Sequence, residues 1–358
     1  MNKVVSICNT PMQIINTVNL ALNEFPDEKF DIIVSDQFSN SEALINSLKT
    51  CGCFNNVYYI IDRKFTLQHG LRSFFPLFLR KRWVKKIKKM NADLAFDYNI
   101  LLFNNLDSFS NLFALSQNKL TKIIWFEEGA SSYCVQGSYW IFKKNILKST
   151  IKNILNLNFI QRNITDQYLY KPELANYKVP FKRHVLKPLT YNNEKMKLVL
   201  NKIFLFSDDE ILKKKFIFFE ESYRIDGYKI NDLEIIENII KLIGKDNLIV
   251  KVHPRSNSND LKMQCIINNN TTIPWELYCL NMKSEEKVLI SISSGCLLSQ
   301  YLYFSQKYKA ISLINFLDTS KLPEDKRLYL DFIYEKIYMK NKDIFYTPHD
   351  INELRNLL

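Results

Sequence analysis

The sequence predicts an α/β protein with two Rossmann-like domains, and three observations support this fold class. Short β-branched runs, such as Lys3–Cys8 and Leu248–Val252, alternate with segments of helical periodicity. Such alternation is typical of parallel sheets covered by helices on both faces. The alternation breaks at 137–200 and then resumes, and a length of 358 residues favours about two domains. We place these domains at residues 1–190 and 191–358.

The first domain opens with a strand that turns directly into a helix. After Lys3–Cys8 come Asn9, Thr10, Pro11 and Gln13, followed by apolar residues at helical spacing. Thr10 is suited to cap the helix, Pro11 to its first position, and Gln13 to a capping box. The glycines of a dinucleotide-binding turn are absent, so the polar loop is better suited to a hydroxylated ligand.

The remaining predicted strands and helices continue to alternate in both halves of the chain. Further strands are predicted at Phe30–Val34, Val57–Ile61, Ile100–Phe103, Lys122–Phe126, Phe216–Phe219, Lys287–Ile290 and, as the last strand, Ala310–Leu313. Helices are predicted at Ser41–Leu48, 78–90, 108–117, 231–243 and Cys296–Phe304, with a largely helical end from Lys326 to Leu358.

A net charge of +12 favours an anionic partner, which can be a nucleic acid, an anionic lipid or an anionic substrate. No nucleic-acid-binding motif is present, so no nucleic acid is expected. The basic residues concentrate at 80–89, next to aromatic residues at 74–79. This pattern predicts a basic amphipathic helix that lies on an acidic membrane surface. The alternative is a solvated helix face whose apolar side docks on the core.

No run approaches the ~20 apolar residues of a membrane span, and the N-terminus lacks the unbroken apolar core of a signal peptide. A cytoplasmic protein is therefore expected. The seven cysteines are scattered, and Cys51 and Cys53 are the only close pair. With no partner pair for a zinc site, reduced thiols are the expected state.

The strand Leu248–Val252 runs into a loop formed by His253, Pro254 and Arg255. Pro254 ends the strand's hydrogen bonding and favours an extended His253. The imidazole is thus presented at the carboxyl end of a strand, where open α/β sheets bind ligands. With Arg255 it could bind and protonate a phosphate. The alternative is a loop histidine stacked on its own proline.

A strand also precedes Glu127, Glu128 and Gly129. A carboxylate at a strand end can act as a general base. The alternative is that these residues form a helix cap or a surface turn.

Two further loops complete the candidate site. Ser293, Ser294 and Gly295 open a helix, where hydroxyls and backbone N–H groups can bind an anion; a serine cap alone is the alternative. Glu276, in a first helical turn, could accept hydrogen bonds from a ribose diol or could simply be solvated. The Asp-x-Asp motif, the Walker A loop and the nucleophile elbow are all absent, so no metal and no cofactor is expected.

These short motifs occur together and in a fixed order. They lie at Cys8–Gln13, Glu127–Gly129, Val252–Arg255, Ile273–Glu276 and Ile290–Gly295. On this set the chain resembles bacterial sialyltransferases of the GT-B fold, most closely those of glycosyltransferase family 52.

The resemblance implies inverting, metal-independent transfer of sialic acid from CMP-sialic acid. His253 would protonate or hydrogen-bond the CMP phosphate, and Glu276 would hold the ribose. Glu128 would be the base, with Glu221 as the second candidate, because some members of family 52 take the base from the strand end before the His-Pro motif. The other donor-binding residues would be Pro254, Arg255, Ser293, Ser294 and Gly295. The acceptor-binding residues would be Asn9, Thr10, Gln13, Glu127 and Gly129.

The acceptor implied by the resemblance is a galactoside-type glycan or glycolipid of lipooligosaccharide or capsular polysaccharide. The same resemblance implies a homodimer. The basic helix at 78–90 predicts association with the cytoplasmic face of the inner membrane. Two alternatives stay open. One is a UDP-hexose-dependent glycosyltransferase of surface polysaccharide synthesis, since a fold does not fix the donor. The other is a non-catalytic glycan-binding or membrane-surface protein of capsule assembly.

Overall fold

The computed structural model describes residues 1–62, 80–104, 108–118, 120–134, 163–190, 194–207, 209–254, 265–268, 270–282, 286–304 and 308–358. The chain forms two compact units. The N-terminal unit comprises Met1–Lys187 and Leu198–Leu205, and the C-terminal unit comprises Pro188–Lys197 and Phe206–Leu358. The chain therefore passes between units three times, whereas the sequence predicts one boundary after residue 190.

The N-terminal unit contains a seven-stranded parallel sheet of order β3-β2-β1-β4-β5-β6-β7. Its strands are β1 Lys3–Cys8, β2 Lys29–Ser35, β3 Asn56–Ile60, β4 Ile100–Phe103, β5 Lys122–Phe126, β6 Ile164–Leu169 and β7 Lys182–Val185. Its described helices are α1 Pro11–Asn23, α2 Leu44–Thr50, α3 Arg80–Met90 and α4 Ser108–Ser116.

The predicted strand–turn–helix at the N-terminus is confirmed. The Thr10 hydroxyl accepts a hydrogen bond from the Gln13 N–H at 3.3 Å, and Pro11 is the first residue of α1. The Gln13 side chain reaches back in turn and accepts from the N–H of Asn9 at 2.5 Å. The first bond satisfies a backbone donor that the helix start leaves without an intrahelical partner, and the second ties the residue before the cap to the first turn.

The C-terminal unit contains a six-stranded parallel sheet of order β10-β9-β8-β11-β12-β13. Its strands are β8 Phe216–Phe219, β9 Leu248–Lys251, β10 Ile266–Asn268, β11 Val288–Ser291, β12 Lys309–Ser312 and β13 Phe345–Tyr346. Its helices are α6 Asp232–Ile243, α7 Trp275–Asn281, α8 Gly295–Leu302, α9 Glu324–Ile333 and α10 Ile351–Leu357, while α5 Glu194–Phe204 belongs partly to each unit.

Four strands were not predicted. The segments β6 and β7 lie within residues 137–200, where the alternation of predicted strands and helices breaks. The strands β10 and β13 have only three and two residues. The edge strand β7 is polar and half-exposed, and its His184 Nε2 lies 2.5 Å from Asp166 Oδ1 of β6. Edge strands lack the apolar pattern of central ones, so periodicity fails to detect them. Because β13 follows β12, the prediction that Ala310–Leu313 is the last strand was wrong.

Each sheet has a point where the strand order reverses. In the N-terminal unit the chain builds β1, β2 and β3 in one direction and then β4 to β7 in the other. In the C-terminal unit the reversal lies between β8 and β11. Ligands of open α/β sheets bind outside the carboxyl ends of the strands at such points. Among the described residues, no helix is long and apolar enough to cross a membrane.

The cap of α1 yields a stability prediction. We expect Thr10→Ala to lower the free energy of unfolding by about 1 kcal/mol, because the Gln13 N–H loses its acceptor. Chemical denaturation followed by circular dichroism measures this change. Thr10→Ser keeps the hydroxyl and serves as the control. An alanine variant as stable as the serine variant would contradict the capping role.

Candidate functional site

Two adjacent carboxylates follow β8 at the reversal point of the C-terminal sheet. Glu220 Oε2 accepts a hydrogen bond from the N–H of His253 at 3.1 Å. Glu221 Oε1 accepts one from the N–H of Ser293 at 2.8 Å. The loop after β9 and the loop after β11 are thus each tied to the end of the strand between them.

Glu220 is held rigidly. It is 3% exposed, and its Oε1 accepts from Arg224 Nη2 at 2.9 Å. The other end of the same guanidinium donates to Asp232 Oδ2 at 2.8 Å, at the start of α6. A buried carboxylate is tolerated only when it is paired and hydrogen-bonded, as here. This chain of bonds fixes the turn after β8.

Glu221 is bonded on the other side of the same turn. Besides the Ser293 N–H, its Oε1 accepts from Ser291 Oγ at 2.8 Å. Burial raises the pKa of the Glu221 carboxyl to about 7, and its hydrogen bonds to Ser291 and Ser293 only partly oppose this effect. A carboxyl with such a pKa can exchange a proton near neutrality.

The serine loop is more constrained than the sequence indicates. The Ser293 hydroxyl lies 2.5 Å from Tyr223 Oη, and the Ser294 N–H donates to Ser291 Oγ at 3.1 Å. Ser294 is also the cap of α8, since its hydroxyl accepts from the Cys296 N–H at 3.3 Å. The cap predicted as the alternative is therefore present. The N–H group expected to bind an external anion at Ser293 is bonded to Glu221.

Glu276 lies in the first turn of α7 but is not solvated, so the alternative interpretation of this residue is wrong. It is 9% exposed, and its Oε1 accepts from Ser299 Oγ of α8 at 2.6 Å. Burial raises the pKa of the Glu276 carboxyl, while the positive charge of nearby Lys251 opposes the rise. Lys251, at the end of β9, is itself buried, which lowers its pKa to about 8. The bond to Ser299 thereby holds Glu276 of α7 against α8, the helix that the serine loop opens.

His253 is half-buried and Pro254 is exposed, directly after β9. Gly295 is exposed at the first position of α8. Arg255 lies outside the described residues. His253, Glu276, Ser293 and Ser294 all belong to the C-terminal unit and follow strands or begin helices at one edge of its sheet.

In the N-terminal unit, the adjacent residues Glu127 and Glu128 have different environments. Glu127 is fully buried, and its carboxylate accepts from the Tyr133 hydroxyl and from the Tyr170 N–H. Asn16 Nδ2 donates to the Glu127 carbonyl at 2.8 Å. Glu127 thus acts as an internal acceptor that holds three segments together, and its predicted role in binding the acceptor is not supported by its burial.

Glu128 is half-buried, and its Oε2 accepts from Gln13 Nε2 at 3.3 Å. Gly129 follows with φ of +135°, a conformation that favours glycine over other residues. Asn9 is 4% exposed and Gln13 1% exposed, while Thr10 is exposed. The first β–α loop and the end of β5 therefore meet at Gln13 and Glu128.

Several participating residues were not predicted. Tyr133 and Tyr170 hold Glu127, Ser299 holds Glu276, and Glu220 holds the His253 loop. The sequence carries one usable signal for Glu220, because it follows an apolar strand in the same way as Glu127. The others depend on packing between segments distant in sequence.

No protein-family model matches the chain. A curated relative, the uncharacterized killer plasmid pGKl-2 protein 9 of Kluyveromyces lactis, is 27% identical over 252 residues, which are 66% of this chain and 49% of that protein. The chain thus spans about half the length of this relative.

Solved structures of similar fold cover nearly the whole chain. An α/β-galactoside α-2,3-sialyltransferase from Photobacterium phosphoreum superposes with a TM-score of 0.54 at 14% identity, covering 97% of this chain and 99% of that one. Arabidopsis thaliana UGT89C1 complexed with UDP gives 0.50 at 11% identity, covering 99% and 89%. The glycotransferase of kitacinnamycin gives 0.50 at 7% identity, with the same coverage. The chain has the GT-B glycosyltransferase fold, with two parallel-sheet α/β domains.

Glu221 gives the C-terminal unit a predictable pH dependence. Its folded pKa of about 7 lies above the ordinary value of 4.5. Its contribution to stability is therefore fully present below pH 4.5 and is lost as the pH rises through about 7. We expect a loss of roughly 1–3 kcal/mol across this window in the wild type, and none of it in Glu221→Gln.

Urea denaturation at pH 4.5, 6 and 8 measures this effect. Glu335→Gln, at an exposed position of the same unit, is the control and should retain the wild-type profile. An unchanged profile in Glu221→Gln would show that another group causes the pH dependence.

Proposed function

We propose that the protein is a glycosyltransferase that uses a nucleotide-sugar donor, and specifically a sialyltransferase that uses CMP-sialic acid. The observation that carries the proposal is the edge of the C-terminal sheet at its reversal point. There the dipeptide Glu220-Glu221 holds the His253 loop on one side and the Ser293 loop on the other. The fold likeness supports the general activity, and the motif resemblance supports the donor.

The donor phosphate would lie between the imidazole of His253 and the start of α8. When the glycosidic bond breaks, negative charge accumulates on the departing CMP phosphate. An imidazolium, serine hydroxyls and the positive end of a helix can stabilise that charge without a metal ion. Glu276, fixed by Ser299, would accept hydrogen bonds from the ribose hydroxyls.

Because this mechanism uses no metal ion, transferase activity should persist in EDTA. Loss of activity in EDTA would argue against this mechanism.

Binding of the phosphate requires a rearrangement of Glu221. Its carboxyl is bonded to the Ser293 N–H, which a bound phosphate would also use. Two anions at one N–H repel each other, so the donor favours a protonated or displaced Glu221. This competition argues for Glu128 as the base that deprotonates the acceptor hydroxyl, with Glu221 as the second candidate.

The two candidates for the base can be separated by kinetics. Glu128→Gln should lower kcat by about 10²–10⁴-fold with little change in donor binding if it is the base. Glu221→Gln should instead change the pH dependence of donor binding. A Glu128→Gln variant with wild-type kcat would transfer the role to Glu221.

The first alternative is a UDP-sugar donor, which one neighbour's complex with UDP favours. The proposed acceptor is a galactoside-type glycan or glycolipid of lipooligosaccharide or capsule. Screening CMP-sialic acid and UDP-hexoses against lactose by mass spectrometry tests both donors at once.

The second alternative, a non-catalytic glycan- or membrane-binding protein, predicts neither transfer nor hydrolysis of any donor.

Donor identity has a direct thermodynamic readout. We expect CMP, but not UDP, to raise the unfolding midpoint, because a ligand at 100 times its Kd adds about 2.7 kcal/mol to the free energy of unfolding.

His253→Ala should lower the transfer rate by about 10²–10⁴-fold.

The exposed His349 of the same unit provides the matched control, and His349→Ala should retain full activity. Wild-type turnover by His253→Ala would remove this residue from the mechanism. A midpoint shift with UDP alone would favour the UDP-sugar alternative.

The basic helix α3 offers a test of membrane attachment. Its Ile87 is buried in the core of the N-terminal unit, as the alternative in the sequence predicts, while Lys85, Lys86, Lys88 and Lys89 are exposed. The aromatic residues at 74–79 lie outside the described residues. A surface lysine adds about 1 kcal/mol to binding at an anionic membrane.

We expect sedimentation with vesicles rich in phosphatidylserine, and its loss when these four lysines are changed to glutamate. The control is the same change at Lys241, Lys245, Lys336 and Lys340, which are exposed in the C-terminal unit. Equal loss in both variants would indicate a response to net charge and not a specific surface.

A further inference from the structure

The cysteine pair Cys51 and Cys53 lies directly after α2 in the N-terminal unit. Both thiols are partly exposed. Gly52 between them has φ of +84°, so the chain turns back within three residues. The side chain of Cys53 and its backbone N–H are both hydrogen-bonded to the Cys51 sulfur. The Cys51 thiol also donates to the Leu48 carbonyl of α2 at 3.0 Å. The turn therefore brings the two cysteine side chains together at the end of α2.

The surroundings of Cys51 favour its thiolate. The hydrogen bond from the Cys53 side chain is the largest influence and lowers the pKa of Cys51 to about 7, although burial opposes it. Lys202 of α5 adds a positive charge nearby. Its ammonium group donates to the carbonyl of Thr50, the last residue of α2. The lysine is thus fixed beside the pair.

The other half-buried thiols provide a comparison within the same chain. Cys265 has a pKa raised to about 11, because burial is its only influence. Cys8, Cys134 and Cys279 are buried and shielded from reagents. Reactive cysteines combine exposure, a nearby cation and a second thiol. Cys51 has all three.

We propose that Cys51 and Cys53 form a redox-active dithiol that converts reversibly to an intramolecular disulfide. The oxidant is a low-molecular-weight disulfide such as glutathione disulfide. The Cys51 thiolate attacks one sulfur of the oxidant, and the first glutathione thiolate leaves. Cys53 then loses its proton and displaces the second glutathione thiolate. Two protein thiols and one glutathione disulfide give one protein disulfide and two glutathione molecules.

The site is independent of the proposed transferase activity. A Cys-Gly-Cys disulfide closes a very small ring, and strained, exposed disulfides are the easily reduced ones that act in regulation. Formation of the bond would also remove the thiolate that faces Lys202.

The wild-type chain is incubated with glutathione disulfide at pH 7, alkylated with iodoacetamide and digested for mass spectrometry. We expect a peptide carrying a Cys51–Cys53 bond, 2 Da lighter than its reduced form, and unmodified reactivity at Cys265. Dithiothreitol should restore both alkylation sites. A stable glutathione adduct on Cys51 that does not proceed to the disulfide would overturn the proposal, as would full alkylation of both thiols.

Alkylation rates of the reduced, untreated protein provide a second measurement that needs no variant. At pH 7, Cys51 should react roughly 100-fold faster than Cys265, because its larger thiolate fraction outweighs its lower nucleophilicity. Cys53→Ala should slow Cys51 several-fold, and Cys265→Ser should leave its rate unchanged. Equal rates at Cys51 and Cys265 in the wild type would contradict the proposed thiolate.

Discussion

The candidate donor site depends on the hydrogen bonds that Glu220 and Glu221 make to the loops on either side of β8. Glu220 accepts a hydrogen bond from the N–H of His253, and Glu221 accepts one from the N–H of Ser293. Consecutive side chains of an extended chain point in opposite directions, so one dipeptide can hold two loops. The bonds to Arg224 and Ser291 fix the dipeptide in turn. The geometry of the loops at this edge therefore comes from side chains that support them from behind.

The N-terminal unit uses a similar dipeptide differently. Glu127 is an internal acceptor for Tyr133 and Tyr170, whereas Glu128 keeps access to solvent. Glu127 and Glu128 belong to the same motif of two acids and a glycine, and they differ only in their tertiary contacts. The buried carboxylate of Glu127 accepts two hydrogen bonds and positions the chain, whereas its half-buried neighbour Glu128 lies at the strand end with partial access to solvent.

The sequence predicts the central elements well because their signals are local. Thr10, Pro11 and Gln13 predict the start of α1, and β9 is a short apolar run followed by Pro254 three residues after its end. Parallel strands share a carboxyl edge, which is why His253 and Ser293 could be expected together. The role of Glu220 required the position of β8 between β9 and β11, which no local pattern encodes. The strand β6, which contains several polar residues, and the polar edge strand β7 were not predicted for the same reason: their stability comes from neighbouring strands and not from their own composition.

The path of α5 has a consequence for how the two units can be separated. Leu198–Leu205 belongs to the N-terminal unit although Pro188–Lys197, which precedes it, belongs to the C-terminal unit. A chain cut after residue 190 would leave the first unit without a segment of its own structure and the second with a surplus one. Exchange of units between related proteins by a single crossover would carry the same defect. Separation of the two units therefore requires cuts on both sides of Leu198–Leu205 as well as after Lys187.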